Sequence, residues 1–309
     1  MTNLELPTPR RRRGRGKRRA PDALVPPQAP SLDSAGLLQL ARLFERRGWP
    51  RTDDQDPIFE RFAWVLARLD PPTRALVFAL AEDFERITSQ RHDPLLGICL
   101  DELGITEGVW NQFAQVVVLP ILAPEDEGKA KSGTQVVYSA ETRISRLTRA
   151  KANSRQVKRY ATYEAFGKRE DCRGKTLLVL VDDFVGTGDT ATKALDHFAG
   201  FSKPSDVVFV AALVCMSRGR EVIKPRVARL GIGQELGRGI ADNYRIQDKA
   251  RAYELIDALE QKLGVSKDYR RGYGQSEALV TLRRTPNNTL PVFWWESGSN
   301  DAWQPVFPR

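Results

Sequence analysis

Histidine is nearly missing from this chain of 309 residues. There are two, His92 and His197, and only three cysteines, Cys99, Cys172 and Cys215, far apart and without a C-x-x-C pair. That scarcity argues against a zinc site and against a disulfide framework. Long apolar runs are lacking too. No stretch approaches the roughly 18 residues of a membrane span, and the first residues have no apolar segment of the kind that opens a signal peptide. The expectation is a cytoplasmic protein with no membrane partner. Two nucleotide-binding fingerprints are also missing. Gly174-Lys175-Thr176 precedes a strand-like run and has Arg169 where G-x-x-x-x-G-K-[ST] needs its first glycine, so there is no P-loop. The Gly186 and Gly188 pair fails the dinucleotide pattern G-x-G-x-x-G, because Ala191 stands at the third glycine.

Positive charge is what the chain has in excess, and it is concentrated. Of the net charge of +9, eight units belong to Arg10, Arg11, Arg12, Arg13, Arg15, Lys17, Arg18 and Arg19. With Pro7, Pro9, Pro21, Pro26, Pro27 and Pro30 around them, residues 1–32 hold too little apolar surface to order themselves and are expected to be a disordered basic tail. Such an arm gains affinity for DNA or RNA by releasing counterions from phosphates. A solubility role is the plainer alternative. An oligomer is compatible with this composition.

The remaining chain is long enough for an α/β core and a smaller unit. Residues 33–112 read as a helical region. Leu37, Leu38, Leu40, Ala41, Leu43 and Phe44 follow Asp33 or Ser34 as N-cap and stop at Gly48 and Pro50. Asp56-Pro57 is expected to cap and open a second helix, with Phe59, Phe62, Val65, Leu66 and Leu69 on one stripe and Pro71-Pro72 as its stop. A third helix is expected from Thr73 to Thr88, with Leu76, Leu80, Phe84 and Ile87 inward. The aromatic residues of this region read as core.

Residues 113–309 read as an α/β domain with an aromatic-rich C-terminal extension. The β-branched runs Gln115 to Ile121, Thr176 to Val181 and Val207 to Val214 have the look of buried strands, with a late strand at Glu277 to Leu282. Helices are expected at Ser154 to Phe166, Asp189 to Ala199, Ser217 to Leu230 and Asp248 to Leu263. Strands alternating with helices imply a mainly parallel sheet with helices on both faces. Ligands of such sheets bind beyond the carboxyl ends of the strands. Trp294, Trp295, Trp303 and Phe307 are expected to close a core or an interface.

One such strand end carries the chemistry. Val179-Leu180-Val181 runs into Asp182-Asp183, then Phe184-Val185, then Gly186-Thr187-Gly188-Asp189-Thr190 before a helix. Backbone N–H groups of a glycine turn at a helix start suit a phosphate monoester, with the Thr187 and Thr190 hydroxyls as further donors. Two carboxylates accept hydrogen bonds from vicinal hydroxyls and help hold Mg²⁺ through water. A ribose 5-phosphate moiety answers both halves.

This stretch resembles the phosphoribosyl pyrophosphate (PRPP) motif of the type I phosphoribosyltransferases. The resemblance implies that Asp182 and Asp183 bind the ribose hydroxyls and the Mg²⁺, and that Phe184, Val185, Gly186, Thr187, Gly188, Asp189 and Thr190 shape the turn around the 5′-phosphate. Lys129-Ala130-Lys131-Ser132-Gly133, after the Val116 to Ile121 strand, resembles the pyrophosphate loop of the same family. Lys131, Ser132 and Gly133 are the candidates there, with Lys131 set to neutralise the leaving group alongside Asp182 and Asp183 in the catalytic role. Arg143, Arg146, Arg149, Lys151, Arg155, Lys158 and Arg159 would form a mobile lid or a solvated helix face. Two positions depart from the pattern. Gly186 stands where purine-specific members carry an aspartate that acts as a base. Asp189 puts a carboxylate beside the phosphate position, as a helix cap or as a charge opposed to binding.

The helical N-terminal region, Lys131-Ser132-Gly133, the acidic motif, Gly272-Tyr273-Gly274 and Thr285-Pro286-Asn287-Asn288-Thr289-Leu290-Pro291 together resemble the phosphoribosyltransferase-like effectors of bacterial conflict systems. Some of these are encoded beside retron reverse transcriptases. The resemblance implies an anti-phage defence effector, toxic and controlled by partners, that transfers or hydrolyses at ribose C1. The alternatives are a PRPP- or nucleotide-sensing module without turnover, and a nucleic-acid-binding component of a defence complex, with a retron reverse transcriptase and its nucleic acid as partners.

Overall fold

Three helices begin the described part of the chain, and the chemistry of their ends sets their lengths. The computed structural model describes residues 31–53, 56–126, 133–150, 156–169, 174–296 and 303–309; the basic tail lies outside them. Helix α1 (Ser34–Arg47) starts where the Asp33 carboxylate accepts the Gly36 N–H at 2.8 Å and stops at Gly48, which takes φ 61°. Helix α2 (Ile58–Ala67) corrects an expectation. Its N-cap is Pro57, with no side-chain cap, and the Asp56 carboxylate binds Arg61 and Arg86 instead. Pro71 and Pro72 do not end a helix; they open α3 (Pro71–Glu82), where a missing N–H costs nothing and Asp70 accepts the Thr73 N–H at 3.1 Å.

The third helix stops at Glu82, short of the expected Thr88. Phe84 to Ile87 have the spacing of a helix face, but the chain there becomes a short strand, β1 (Glu85–Arg86), whose partner lies near the C-terminus. Helix α4 (Ser89–Glu102) follows, unforeseen because Pro94 lies inside it. Then come β2 (Gln115–Pro120), α5 (Gly133–Ala150), β3 (Gln156–Arg159) and α6 (Tyr163–Gly167). From Gln156, where it is described, the helix expected from Ser154 to Phe166 is a strand and a single short helical turn. The long helix lies before it, with Val136, Val137, Ala140 and Ile144 on its buried face. Next are β4 (Thr176–Val185), α7 (Asp189–Ala199), β5 (Val207–Met216), α8 (Ser217–Ile223) and β6 (Arg229–Leu236). Ser217 to Leu230 is thus helix for only its first part, and β4 runs past Val181 to include the acidic pair. Last come α9 (Lys249–Lys262), at the expected place, and β7 (Val280–Thr281), which pairs in parallel with β1.

The main sheet has the order β3-β2-β4-β5-β6, with every neighbour pair parallel. Side chains alternate between its faces. Leu177, Val179, Val181, Phe209 and Ala211 pack under α4 and α5, whereas Leu178, Leu180, Val210 and Ala212 pack under α6, α7 and α8. The expected α/β architecture, a parallel sheet with helices on both faces preceded by a helical region, is the one present. The chain leaves β2 toward β3 on one side and reaches β4 on the other, so the strand order reverses between β2 and β4. Among the described residues no helix is long and apolar enough to cross a membrane.

A third core joins α1, α2 and α3 to α9 and the C-terminal residues. Phe84 is central to it, with its ring 4.6 Å from Phe307 and 4.7 Å from Phe293. Trp294, Trp303 and Phe307 are buried, as a core-closing role requires. Between α9 and β7 the backbone is strained: Arg271, Gln275 and Glu277 have φ between 52° and 55°, alongside Gly272 and Gly274 at 78° and 61°. Each such non-glycine conformation costs about 1–3 kcal/mol and persists only where its surroundings enforce it. Two buried carboxylates do so. Glu277 accepts from the N–H groups of Ile240 and Ala241 at 2.9 Å and from the Tyr253 hydroxyl at 2.8 Å. Glu260 accepts the Arg271 N–H at 2.9 Å, and Arg271 forks onto Asp257.

Two outcomes follow from this packing. Phe84→Ala should lower the unfolding free energy by about 3–5 kcal/mol in a denaturant titration; an unchanged midpoint would contradict the shared aromatic core. Burial pushes the Glu260 carboxyl up to about 7 from an ordinary 4.5, with Asp257 adding to the rise and the Arg271 backbone bond opposing it. A carboxyl raised in the folded state stabilises the fold at low pH and loses that contribution as pH rises through the folded value. Stability should therefore decline between about pH 4.5 and pH 7, by an amount on the order of 3 kcal/mol, and Glu260→Gln should flatten that slope.

Candidate functional site

Strand β4 carries the acidic pair to the carboxyl edge of the sheet. Its register with β5 includes Asp182 opposite Ala212 and Phe184 opposite Val214. Between them the Asp183 N–H donates to Asp182 Oδ1 at 2.9 Å. Asp183 is buried and Asp182 half-buried. Across the reversal point, Gly133 opens α5 so close to the pair that a Cβ on it would stand 2.9 Å from Asp182 Oδ1. The fold thus brings Asp182, Asp183 and Gly133 together. Lys131 and Ser132 lie outside the described residues, as do the tail cations Arg10 to Arg19.

The turn from Gly186 to Thr190 leads from β4 into α7. Gly188 is the N-cap, at φ 88° and without a side-chain cap, and a Cβ there would also press on Val222 Cγ1 at 3.0 Å. Gly186 is restricted by space instead: a Cβ would fall 2.4 Å from the Asn288 carboxamide. Asp189 is the first helical residue and not a cap; its N–H donates to Thr187 Oγ1 at 3.4 Å. Thr187 is buried and Thr190 exposed. The start of α7 thus follows the two carboxylates of β4 through one glycine turn, an arrangement suited to a ligand that bears both an anionic group and hydroxyls.

Two segments wall this turn. Gly219 of α8 comes so near that its Cβ would lie 2.5 Å from the Gly186 carbonyl oxygen, and Gly274 would place one 2.7 Å from Thr187 Cγ2. Beside them, at the ends of β5 and β6, opens a cleft of about 830 Å³ walled by Ser217, Arg218, Glu221, Arg238, Asp242 and Gln275. Arg218 Nη1 donates to the Gly274 carbonyl at 2.8 Å, which ties α8 to the strained loop. Asn288, Arg218 and Gly219 were not singled out as site residues from the sequence. Gly272-Tyr273-Gly274 and Asn287-Asn288 stand out in the sequence only through the resemblance to conflict-system effectors, and nothing local says which part of the fold they meet.

The basic segment expected as a lid or a solvated helix is divided between two packed elements. Arg143, Arg146 and Arg149 ride on α5, whose opposite face is core, and Arg143 Nη1 donates to the Asp93 carbonyl at 3.0 Å. Lys158 and Arg159 belong to β3, and Lys151 and Arg155 lie outside the described residues. Among the described residues, Arg143, Arg146 and Arg149 thus lie on a helix and Lys158 and Arg159 on a strand. The thiols of Cys99 and Cys215 are pushed up to about 12 by burial, so neither is a nucleophile near neutral pH.

No curated protein matches the chain. Among solved structures it is similar to hypoxanthine-guanine phosphoribosyltransferase from Schistosoma mansoni in complex with IMP, at 19% identity and a TM-score of 0.30 over 48% of this chain and 64% of that one. It is also similar to orotate phosphoribosyltransferase from Aeropyrum pernix, at 15% identity and a TM-score of 0.27 over 55% of this chain and 74% of that one. The chain thus spans less than two thirds of the first of these. The PRTase-CE family profile matches residues 99–309, from within α4 to the last residue and across the whole acidic motif. With well over half of its length matched in this way, the chain belongs to the PRTase-CE family.

Proposed function

We propose that the carboxyl edge of the sheet binds PRPP or a related ribose 5-phosphate compound and supports substitution at ribose C1, by transfer or by hydrolysis. The observation that carries this reading is the junction of β4 and α7. A turn with Gly188 at φ 88° presents an uncapped helix start next to Asp182 and Asp183, at the point where the strand order reverses. In this reading the N–H groups from Gly186 to Thr190 hold the 5-phosphate, and Asp182 and Asp183 accept hydrogen bonds from the ribose hydroxyls. Gly133, with Lys131 and Ser132 before it, faces the departing pyrophosphate.

Mg²⁺ fits this donor set in one way. Among the described residues no group of three or more histidine, cysteine, aspartate or glutamate side chains could enclose an ion. Asp182 and Asp183 would hold it with water and ligand phosphates, which is the usual manner for Mg²⁺. When bound it would neutralise charge on the phosphates. The protein's own part is to orient the sugar, fix the 5-phosphate and keep positive potential on the leaving group. The resemblance to conflict-system effectors extends the proposal to a toxic, partner-controlled defence effector, with the basic tail as the arm for DNA or RNA.

One observation favours a second reading, binding without turnover. Gly186 has no side chain, and the Asn288 carboxamide fills the space that one would occupy. No carboxylate stands there to activate an acceptor. Following PRPP consumption in the wild type and in Asp182→Asn separates the two readings: turnover lost in the variant supports an enzyme, and binding without consumption in the wild type supports a sensor.

The turn itself gives the sharper test. Calorimetric titration of PRPP with Mg²⁺ should show binding in the wild type and none in Gly188→Val, because a β-branched side chain at φ 88° disrupts the start of α7. Thr190→Ala should lose about 0.5–1.5 kcal/mol, or up to about 3 if its hydroxyl meets a charged phosphate. Wild-type affinity in Gly188→Val would remove the phosphate cradle from the proposal.

A further inference from the structure

A second cleft, of about 490 Å³, lies between the start of α4, the end of β7 and the C-terminal residues. No residue from Asp182 to Thr190 lines it. Its polar wall is basic: Arg61, Arg86 and Arg283 face one carboxylate, Asp56, an excess of two positive charges. Asp56 bridges Arg61 and Arg86. Arg61 Nε is used on the Val306 carbonyl at 2.7 Å. Arg283 is exposed and donates to Gln135 Oε1 at 3.0 Å, with no carboxylate partner among the described residues.

His92 adds an independent sign. Its Nε2 is buried and has no hydrogen-bond partner among the described residues. The same ring lines this cleft and an adjoining one of about 200 Å³. A buried polar atom left without a partner costs about 1–3 kcal/mol, which a ligand oxygen would recover. A purely structural ion-pair cluster balances its charges, whereas this one leaves guanidinium N–H groups directed at no carboxylate. Planar guanidinium forks match phosphate oxygens two at a time. The remaining wall is apolar, from Ile87, Leu282 and Phe307, and the volume falls within the range of about 300–1,000 Å³ that small-molecule sites occupy.

We infer that this cleft is a second anion site, separate from the acidic pair, which takes a small phosphorylated molecule of nucleotide size. Its phosphate rests on Arg283 and Arg86, with His92 Nε2–H donating, and its organic part lies against the apolar wall. Gln135, the third residue of α5, connects this site to Gly133 and thus to Asp182.

The probe is ADP, titrated calorimetrically into the full chain without Mg²⁺, with hydrogen exchange measured on the free and bound protein. Binding should weaken about tenfold or more in Arg283→Glu, return largely in Arg283→Lys and persist in Asp182→Asn. Protection should appear from Arg86 to His92 and at Leu282 and Arg283. Because Arg283 is exposed, its variants should melt as the wild type does. Inorganic pyrophosphate that competes with ADP supports phosphate recognition; failure to compete overturns it. Absence of ADP binding, equal affinity in Arg283→Glu, or protection confined to Gly186 to Thr190 would also overturn the second site, without touching the proposal for the acidic pair.

Discussion

Backbone passing backbone without room for a side chain is the constraint on which the carboxyl edge of the sheet depends. Gly219 and Gly186 come so near that one added carbon would collide with the other's carbonyl oxygen, at 2.5 Å. That approach holds the turn after β4 between α8 and Asn288. Gly188, at φ 88°, then turns the chain into α7, which packs back onto the sheet. Relax either glycine contact, and the turn between the acidic pair and α7 loses its position.

The outer wall of this region is held from a distance. The loop from Arg271 to Glu277 contains three non-glycine residues at positive φ, strain that Glu260 and Glu277 offset with hydrogen bonds inside the protein. Those carboxylates keep their places because α9 packs against α1, α2, α3 and the C-terminal aromatics. Thr285 extends the connection, with its hydroxyl near that of Thr281 at 2.9 Å and donating to the Phe307 carbonyl at 3.1 Å. Helices at the start of the chain thereby position a loop near its end. Asn288, delivered by that same segment, fills the space beside Gly186, so the departure at Gly186 and the C-terminal fold are two parts of one arrangement.

Local chemistry accounts for the elements that are legible in the chain. Central strands β2, β4 and β5 are buried on both faces, so they appear as continuous apolar runs. The acidic pair and its glycine turn were legible because charge and φ freedom at the end of such a run have few other uses. Helices α7 and α9 carry an unbroken apolar stripe and start where a glycine or aspartate permits. Tertiary structure decided the rest. Edge strands β3 and β6 are polar enough to pass for helix or loop, and they became strands only because a neighbour supplied hydrogen bonds; Glu102 Oε2 even accepts the Ile232 N–H at 2.7 Å on the β6 edge. Phe84 and Ile87 fit a helical period, yet pairing of β1 with β7, remote in sequence, overrode it. The partners of Gly186, the strain in the Arg271 loop and the gathering of Arg61, Arg86, His92 and Arg283 around one cleft were equally invisible. They depend on which distant segments touch, and no local pattern encodes that.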